Sequence, residues 1–193
     1  MTSSTFTSNT ATGNGGAIYA LADVTVDNST LKTNEANKGG AIYAKDSVVT
    51  IVDSTLYGNK ATQGGALYTD GASSTVYVIG STFTANTGAG IYAGASTNNM
   101  YIANSILAGN TGNDIDGTAT VNMAYTIYGT LGNNVTLNSD EAMQYTFLGK
   151  TLEDLFVNVE NGVAQISEDG TVAIKADGFG AYAGTLVGKI GNE

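Results

Sequence analysis

Asp114-Ile115-Asp116 is the one tight pair of carboxylates within residues 1–125. On a strand, side chains at i and i+2 share a face and lie about 6.5–7 Å apart along the chain. Two such carboxylates could ligate calcium. They could also act as an acid/base pair on a glycosidic bond, one protonating the leaving group while the other activates water. Asp114 and Asp116 are therefore the candidate calcium ligands, and calcium is the only cofactor the sequence suggests. The same pair also reads as a polar corner. Against catalysis stands the inventory: the chain has no histidine, no cysteine and no arginine. That excludes Ser-His and Cys-His nucleophiles and imidazole or thiolate zinc sites. A lyase-type base would have to be a lysine such as Lys45 or Lys60, and neither sits in an acidic cluster. No catalytic residue is expected.

The second candidate chemistry is aromatic. Tyr19, Tyr43, Tyr68 and Tyr92 occupy equivalent places in successive repeats. If they face outward, they form a row of rings spaced at roughly 4.8 Å. Such a row protects a sheet through cross-strand stacking. It can also dock the apolar face of a sugar. Thr25 and Thr50 hint at an outer threonine row of the kind that binds ice, but Tyr77, Tyr101 and Asn122 interrupt it.

What must position these residues is a repeat. Ser4-Thr5-Phe6-Thr7-Ser8-Asn9 returns at Ser29, Ser54 and Ser81, and more loosely at Ser105, with starts 25, 25, 27 and 24 residues apart. Gly15-Gly16-Ala17-Ile18-Tyr19 keeps the same beat at Gly39, Gly64 and, degenerately, Gly88. A fixed period of this size marks a stacked solenoid. Each period also carries a β-branched run, such as Val24-Thr25-Val26 or Val49-Thr50-Ile51. Alternation of period two with glycine and asparagine punctuation predicts strands. A leucine-rich repeat is excluded by the lack of leucines and of a helical segment. The expected fold is all-β: a single-stranded parallel β-helix of about 25 residues per coil.

The same register assigns the core. Ile18, Ile42, Leu67 and Ile91 point inward on one wall, Val24 and Val26 with their equivalents on the next, and Phe6, Leu31, Leu56, Phe83 and Leu107 on the third. Asn9, Asn34, Asn59, Asn86 and Asn110 close each Ser-Thr motif and should stack at one corner. An amide both donates and accepts, so identical amides can bond from coil to coil.

Residues 1–125 form the repeat coils, and residues 126–193 are expected to form irregular final coils and a β-rich cap over the open end. Within them, Leu131 to Gly149 reads as an excursion from the coil. Thr151 is an N-cap candidate for one helical turn. Asn161-Gly162 and Asp169-Gly170 are hairpin signals. Seventeen acids against seven lysines give a net charge of −10. Phosphate-backbone binding is disfavoured, so no nucleic-acid partner is expected.

The pairing of Gly-Gly-Ala-Ile-Tyr with Phe-Thr-Ser-Asn over residues 4–117 resembles the repeats of chlamydial polymorphic outer-membrane proteins. More broadly, it is similar to bacterial extracellular proteins built on right-handed, pectate-lyase-like parallel β-helices. The resemblance implies a secreted or cell-surface adhesin or rigid stalk, of the kind found as an autotransporter passenger, that meets a host or environmental glycan or a surface protein. Met1-Thr2-Ser3 leads straight into a motif copy, so the chain is expected to be part of a longer polypeptide, with the export signal outside it and no direct insertion into a membrane. Right-handedness rests on that resemblance and on the crossover rule. Polysaccharide lyases and hydrolases share the fold, which keeps a polysaccharide-degrading enzyme as the alternative.

Overall fold

In the computed structural model, residues 1–140, 143–144, 151–168, 170, 172–175 and 190–191 are described. The first three coils each contribute three strands. These are β1 (Thr5–Thr7), β2 (Ile18–Ala20) and β3 (Val24–Asp27); β4 (Thr30–Lys32), β5 (Ile42–Lys45) and β6 (Val48–Val52); β7 (Thr55–Tyr57), β8 (Leu67–Asp70) and β9 (Thr75–Ile79). In the fourth coil β10 (Thr82–Thr84) precedes β11 (Ile91–Ala103), which runs through two walls without a break. β12 (Ile106–Leu107) and β13 (Ile115–Ala124) follow, then β14 (Ile127–Tyr128), β15 (Val135–Asp140) and β16 (Met143–Gln144).

Every pairing among these strands is parallel and joins equivalent residues of neighbouring coils. One wall is β1-β4-β7-β10-β12-β14-β16, here called the threonine wall. The second, the tyrosine wall, stacks β2, β5 and β8 with the first part of β11. The third, the groove wall, stacks β3, β6 and β9 with the second part of β11, then β13 and β15. The inward residues match the sequence reading: Leu31, Ile42, Leu56, Leu67, Phe83, Ile91 and Leu107 are all fully buried. Burying each such side chain contributes roughly 1.5–3 kcal/mol.

The asparagine ladder is present as expected. In each step, the backbone N–H and the side-chain Nδ2 of one asparagine donate to Oδ1 of the next. Asn34 to Asn59 spans 3.0 and 2.9 Å, and Asn59 to Asn86 spans 2.9 and 3.0 Å. The second amide hydrogen goes to a backbone carbonyl, as from Asn59 to Leu31 at 2.9 Å. Asn34, Asn59 and Asn86 are completely shielded from water.

A second ladder escaped the sequence reading. The N–H of Ser4, Ser29, Ser54 and Ser81 each donates to the Oγ of the serine one coil further, at 3.0–3.1 Å. Those hydroxyls donate in turn to the carbonyl two residues back. The residue before each ladder serine turns the corner with positive φ, as at Asn28 (45°), Asp53 (46°) and Gly80 (58°). Glycine, asparagine and aspartate tolerate that conformation best.

After residue 125, where irregular final coils are expected, β14, β15 and β16 continue the threonine and groove walls, so the described part of Leu131 to Gly149 is a further coil and not an excursion from it. Val135 and Leu137 keep the two-residue alternation and pack against the core. Residues 141–142 and 145–149 of that stretch lie outside the described residues.

The described tail also takes a different place from the open end. Thr151 starts a single 3-10 turn, Leu152–Asp154, with its N–H on the Asp154 carboxylate at 2.8 Å. A hairpin pairs Val159–Glu160 (β17) with Val163–Ala164 (β18) through Asn161 and Gly162, both at positive φ as the Asn-Gly signal requires. Leu155, Phe156, Ala164, Val172 and Ile174 then pack on Ile106, Ala108 and Ile127 of the threonine wall. Thr30 Oγ1 donates to the Gly170 carbonyl at 3.2 Å, well down that wall. The tail therefore straps the flank of the solenoid. The physical reason lies in the outward register position held by Thr30, Thr55 and Thr82, which becomes Ile106 and then Ile127 in the last coils. Apolar side chains facing out of a wall need cover.

Candidate functional site

The four tyrosines of the tyrosine wall stack as a column, with ring centroids 4.9, 5.6 and 5.4 Å apart and planes within 10° of parallel. They lie on the face away from the core, as the register predicts, but they do not form an open platform. Tyr43 and Tyr68 are each only 4% exposed. Neighbouring rings cover both faces, and the edges are covered too. Lys38 Nζ sits 4.7 Å from the Tyr68 ring centre and donates to its hydroxyl at 3.2 Å. The Tyr43 hydroxyl donates to Asp70 Oδ2 at 2.7 Å. Burial, aided by that bond, raises the Tyr43 phenol above its ordinary value, and the same bond lowers the Asp70 carboxyl. Gly94 passes so close that a Cβ there would lie 2.3 Å from the Tyr68 oxygen. The column is thus a sealed seam, open only at its ends, where Tyr19 is 54% exposed.

Asp116 stands where the register places it, beside Tyr92 in the next coil. Its Oδ1 accepts from the Gly117 N–H at 2.7 Å and its Oδ2 from Asn113 Nδ2 at 3.2 Å. Asp114 departs from the expectation of an outward carboxylate, being 2% exposed. Its Oδ1 accepts from Asn110 Nδ2 at 2.7 Å, and its Oδ2 accepts the N–H groups of Gly129 and Thr130 at 2.7 and 2.9 Å. Burial pushes its pKa up to about 6, against the pull of these donors. Sequence spacing put the two carboxylates on one face; the end of the asparagine ladder drew one of them inward. This donor set does not fit a calcium ion, since both Asp114 oxygens already face N–H groups. Among the described residues no group of three or more potential ligands gathers anywhere.

An accessible stacked pair of tyrosines is on the groove wall. Its outward register column reads Thr25, Thr50, Tyr77, Tyr101, Asn122, Asn138. Tyr77 and Tyr101 stack at 5.2 Å and 14°, and are 38% and 43% exposed. Beyond Tyr101 the column shortens to asparagine, and beside it runs a shelf of Ile79, Ala103 and Ala124. The result is a notch of about 590 Å³, within the usual range for small-ligand sites. Its amides are loosely engaged: Asn122 Nδ2 reaches the Met100 carbonyl at 3.4 Å, and Asn138 Nδ2 reaches Asn122 Oδ1 at 3.5 Å.

The family model described as a right handed beta helix region matches residues 1–173. The chain belongs to the right-handed β-helix family. No curated protein and no solved structure matches it. Family membership supplies the hand of the coil. Right-handed β-helices include enzymes and non-enzymes, so function has to be argued from side chains. On this right-handed β-helix, sequence reasoning treated Tyr77, Tyr101 and Asn122 as breaks in a threonine row. The signal that could have found the notch was there: tyrosine at one register position in two coils, then asparagine in the next.

Proposed function

We propose that this right-handed β-helix is a non-catalytic module of the bacterial cell surface or extracellular space, a rigid spacer that also binds glycan. The observation that carries the reading is the Tyr77–Tyr101 stack ending at the amides of Asn122 and Asn138. An aromatic face meets the C–H groups of a sugar ring, while primary amides donate to and accept from its hydroxyls. A non-catalytic role is supported by the inventory and by Asp114, whose oxygens hold the fold together inside the wall. The alternative of a polysaccharide-degrading enzyme draws no comparable support from any described cluster of carboxylates.

A glycan array probed with the intact chain and with Tyr101→Ala tests the proposal. Binding that disappears in the variant, with the far-ultraviolet spectrum unchanged, is the expected result. Release of new reducing or unsaturated ends from a bound polysaccharide would overturn it in favour of the enzyme.

A further inference from the structure

The orientation of the two groove-wall rings says more about what the notch accepts. Coils stack at about 4.8 Å, and Tyr77 and Tyr101 are stacked nearly parallel across that spacing. Their faces therefore look along the solenoid axis, and only their edges look outward. One face of Tyr101 is covered by Tyr77. The other looks toward the next coil, where its register partner is Asn122. An asparagine side chain is much shorter than a tyrosine, so that second face is uncovered above the amide. Ala103 and Ala124, partners in the adjacent outward column, leave room beside it.

Resting on the glycan-binding reading above, the geometry points to a single uncharged pyranose ring as the ligand, seated where a third tyrosine of the stack would lie. A flat ring entering there must lie parallel to Tyr101, with its plane across the solenoid axis and its edge inserted from outside. Its C–H face rests on the phenol, and its rim hydroxyls reach the amides of Asn122 and Asn138. The seat suits one ring at the end of a glycan, because the ligand's plane is turned away from the direction in which the wall extends.

Charge selects the class. No aspartate, glutamate, lysine, arginine or histidine is among the residues lining the notch, and the chain carries a net −10. A uronate or sialate would meet no cation in the notch and a repulsive field outside it. A neutral hexopyranoside loses nothing to either.

The test uses methyl glycosides of neutral hexoses beside methyl glucuronides, followed by ligand-observed NMR on the full chain. Neutral glycosides should bind, and glucuronides should bind at least ten-fold more weakly. Asn122→Tyr should fill the seat with the protein's own ring, abolishing binding while melting no lower than the parent. Tyr101→Ala should abolish binding as well, and it carries the same decision if Asn122→Tyr does not fold. Neutral-sugar binding that survives Asn122→Tyr overturns the seat alone. Preference for glucuronides overturns the class alone. Failure to bind any sugar, on these probes and on the array, overturns the glycan-binding reading together with this inference.

Discussion

Asn110 Nδ2 donates to Asp114 Oδ1 at 2.7 Å, so a ladder of amides ends on a carboxylate. The ladder has a direction. From Asn9 to Asn86, each Nδ2 donates one hydrogen to the Oδ1 of the asparagine in the following coil. The final amide therefore needs an acceptor, and an ionised carboxylate has only acceptors to offer.

Asp114→Asn should lower stability by about 1–3 kcal/mol, because an amide NH2 would face either Asn110 Nδ2 or the N–H groups of Gly129 and Thr130. Denaturant unfolding measures this. The pH dependence follows from the pKa, raised from 3.8 to about 6 mainly by burial. Since the folded value lies above the unfolded one, this group's contribution is complete below about pH 3.8 and is lost as pH rises through about 6. The parent should therefore gain on Asp114→Asn as the buffer moves from pH 7.5 to 4.5. A carboxyl titration by NMR with its midpoint near 4 would show that the three donors outweigh burial.

The two tyrosine stacks should respond differently to truncation. Tyr43→Ala removes a buried ring held between two others and should cost about 3–5 kcal/mol, as for other large buried aromatics. Tyr101→Ala removes a half-exposed ring with one stacked partner and should cost at most about 1.5 kcal/mol. Thermal melts of the two variants side by side give the comparison.

The wall register was legible in the sequence because core positions such as Ile42, Leu67 and Ile91 recur in every coil. The asparagine ladder was legible for the same reason. What could not be read was how far each outward side chain is covered. Tyr43 and Tyr101 both face out of their walls. Tyr43 is a seam residue because the rings of Tyr19 and Tyr68 cover both its faces and Asp70 holds its hydroxyl, while Tyr101 has a stacked ring on one face only. The tail's course was equally hidden, since it depends on Ile106 and Ile127 replacing threonine at an outward position.

Asn59→Leu should be more damaging than the loss of one hydrogen bond. It leaves the backbone N–H and Nδ2 of Asn34 without their shared acceptor inside a dry corner. A cost of about 2–6 kcal/mol is expected, on the basis of about 1–3 kcal/mol for each of the two buried donors left unpaired. An unchanged melting temperature would show that the neighbouring coils close over the gap.

Thr82→Val should move stability the other way. The Thr82 hydroxyl is buried and has no hydrogen-bond partner among the described residues. A valine of the same shape removes a desolvated polar group, so a gain of up to about 1 kcal/mol in denaturant unfolding is expected.

The rungs that join one coil to the next lie parallel to the axis and link residues about one turn apart, as from Asn34 to Asn59, 25 residues further on. A coil is thus held mainly by its neighbours, and the first coil has a neighbour on one side only within this chain. Mechanical load applied at Met1 would meet the bonds of one turn at a time. The chain should lengthen in steps of about 25 residues, each turn peeling away as a unit, and it should rewind onto the turns still standing, with the exposed rim as template.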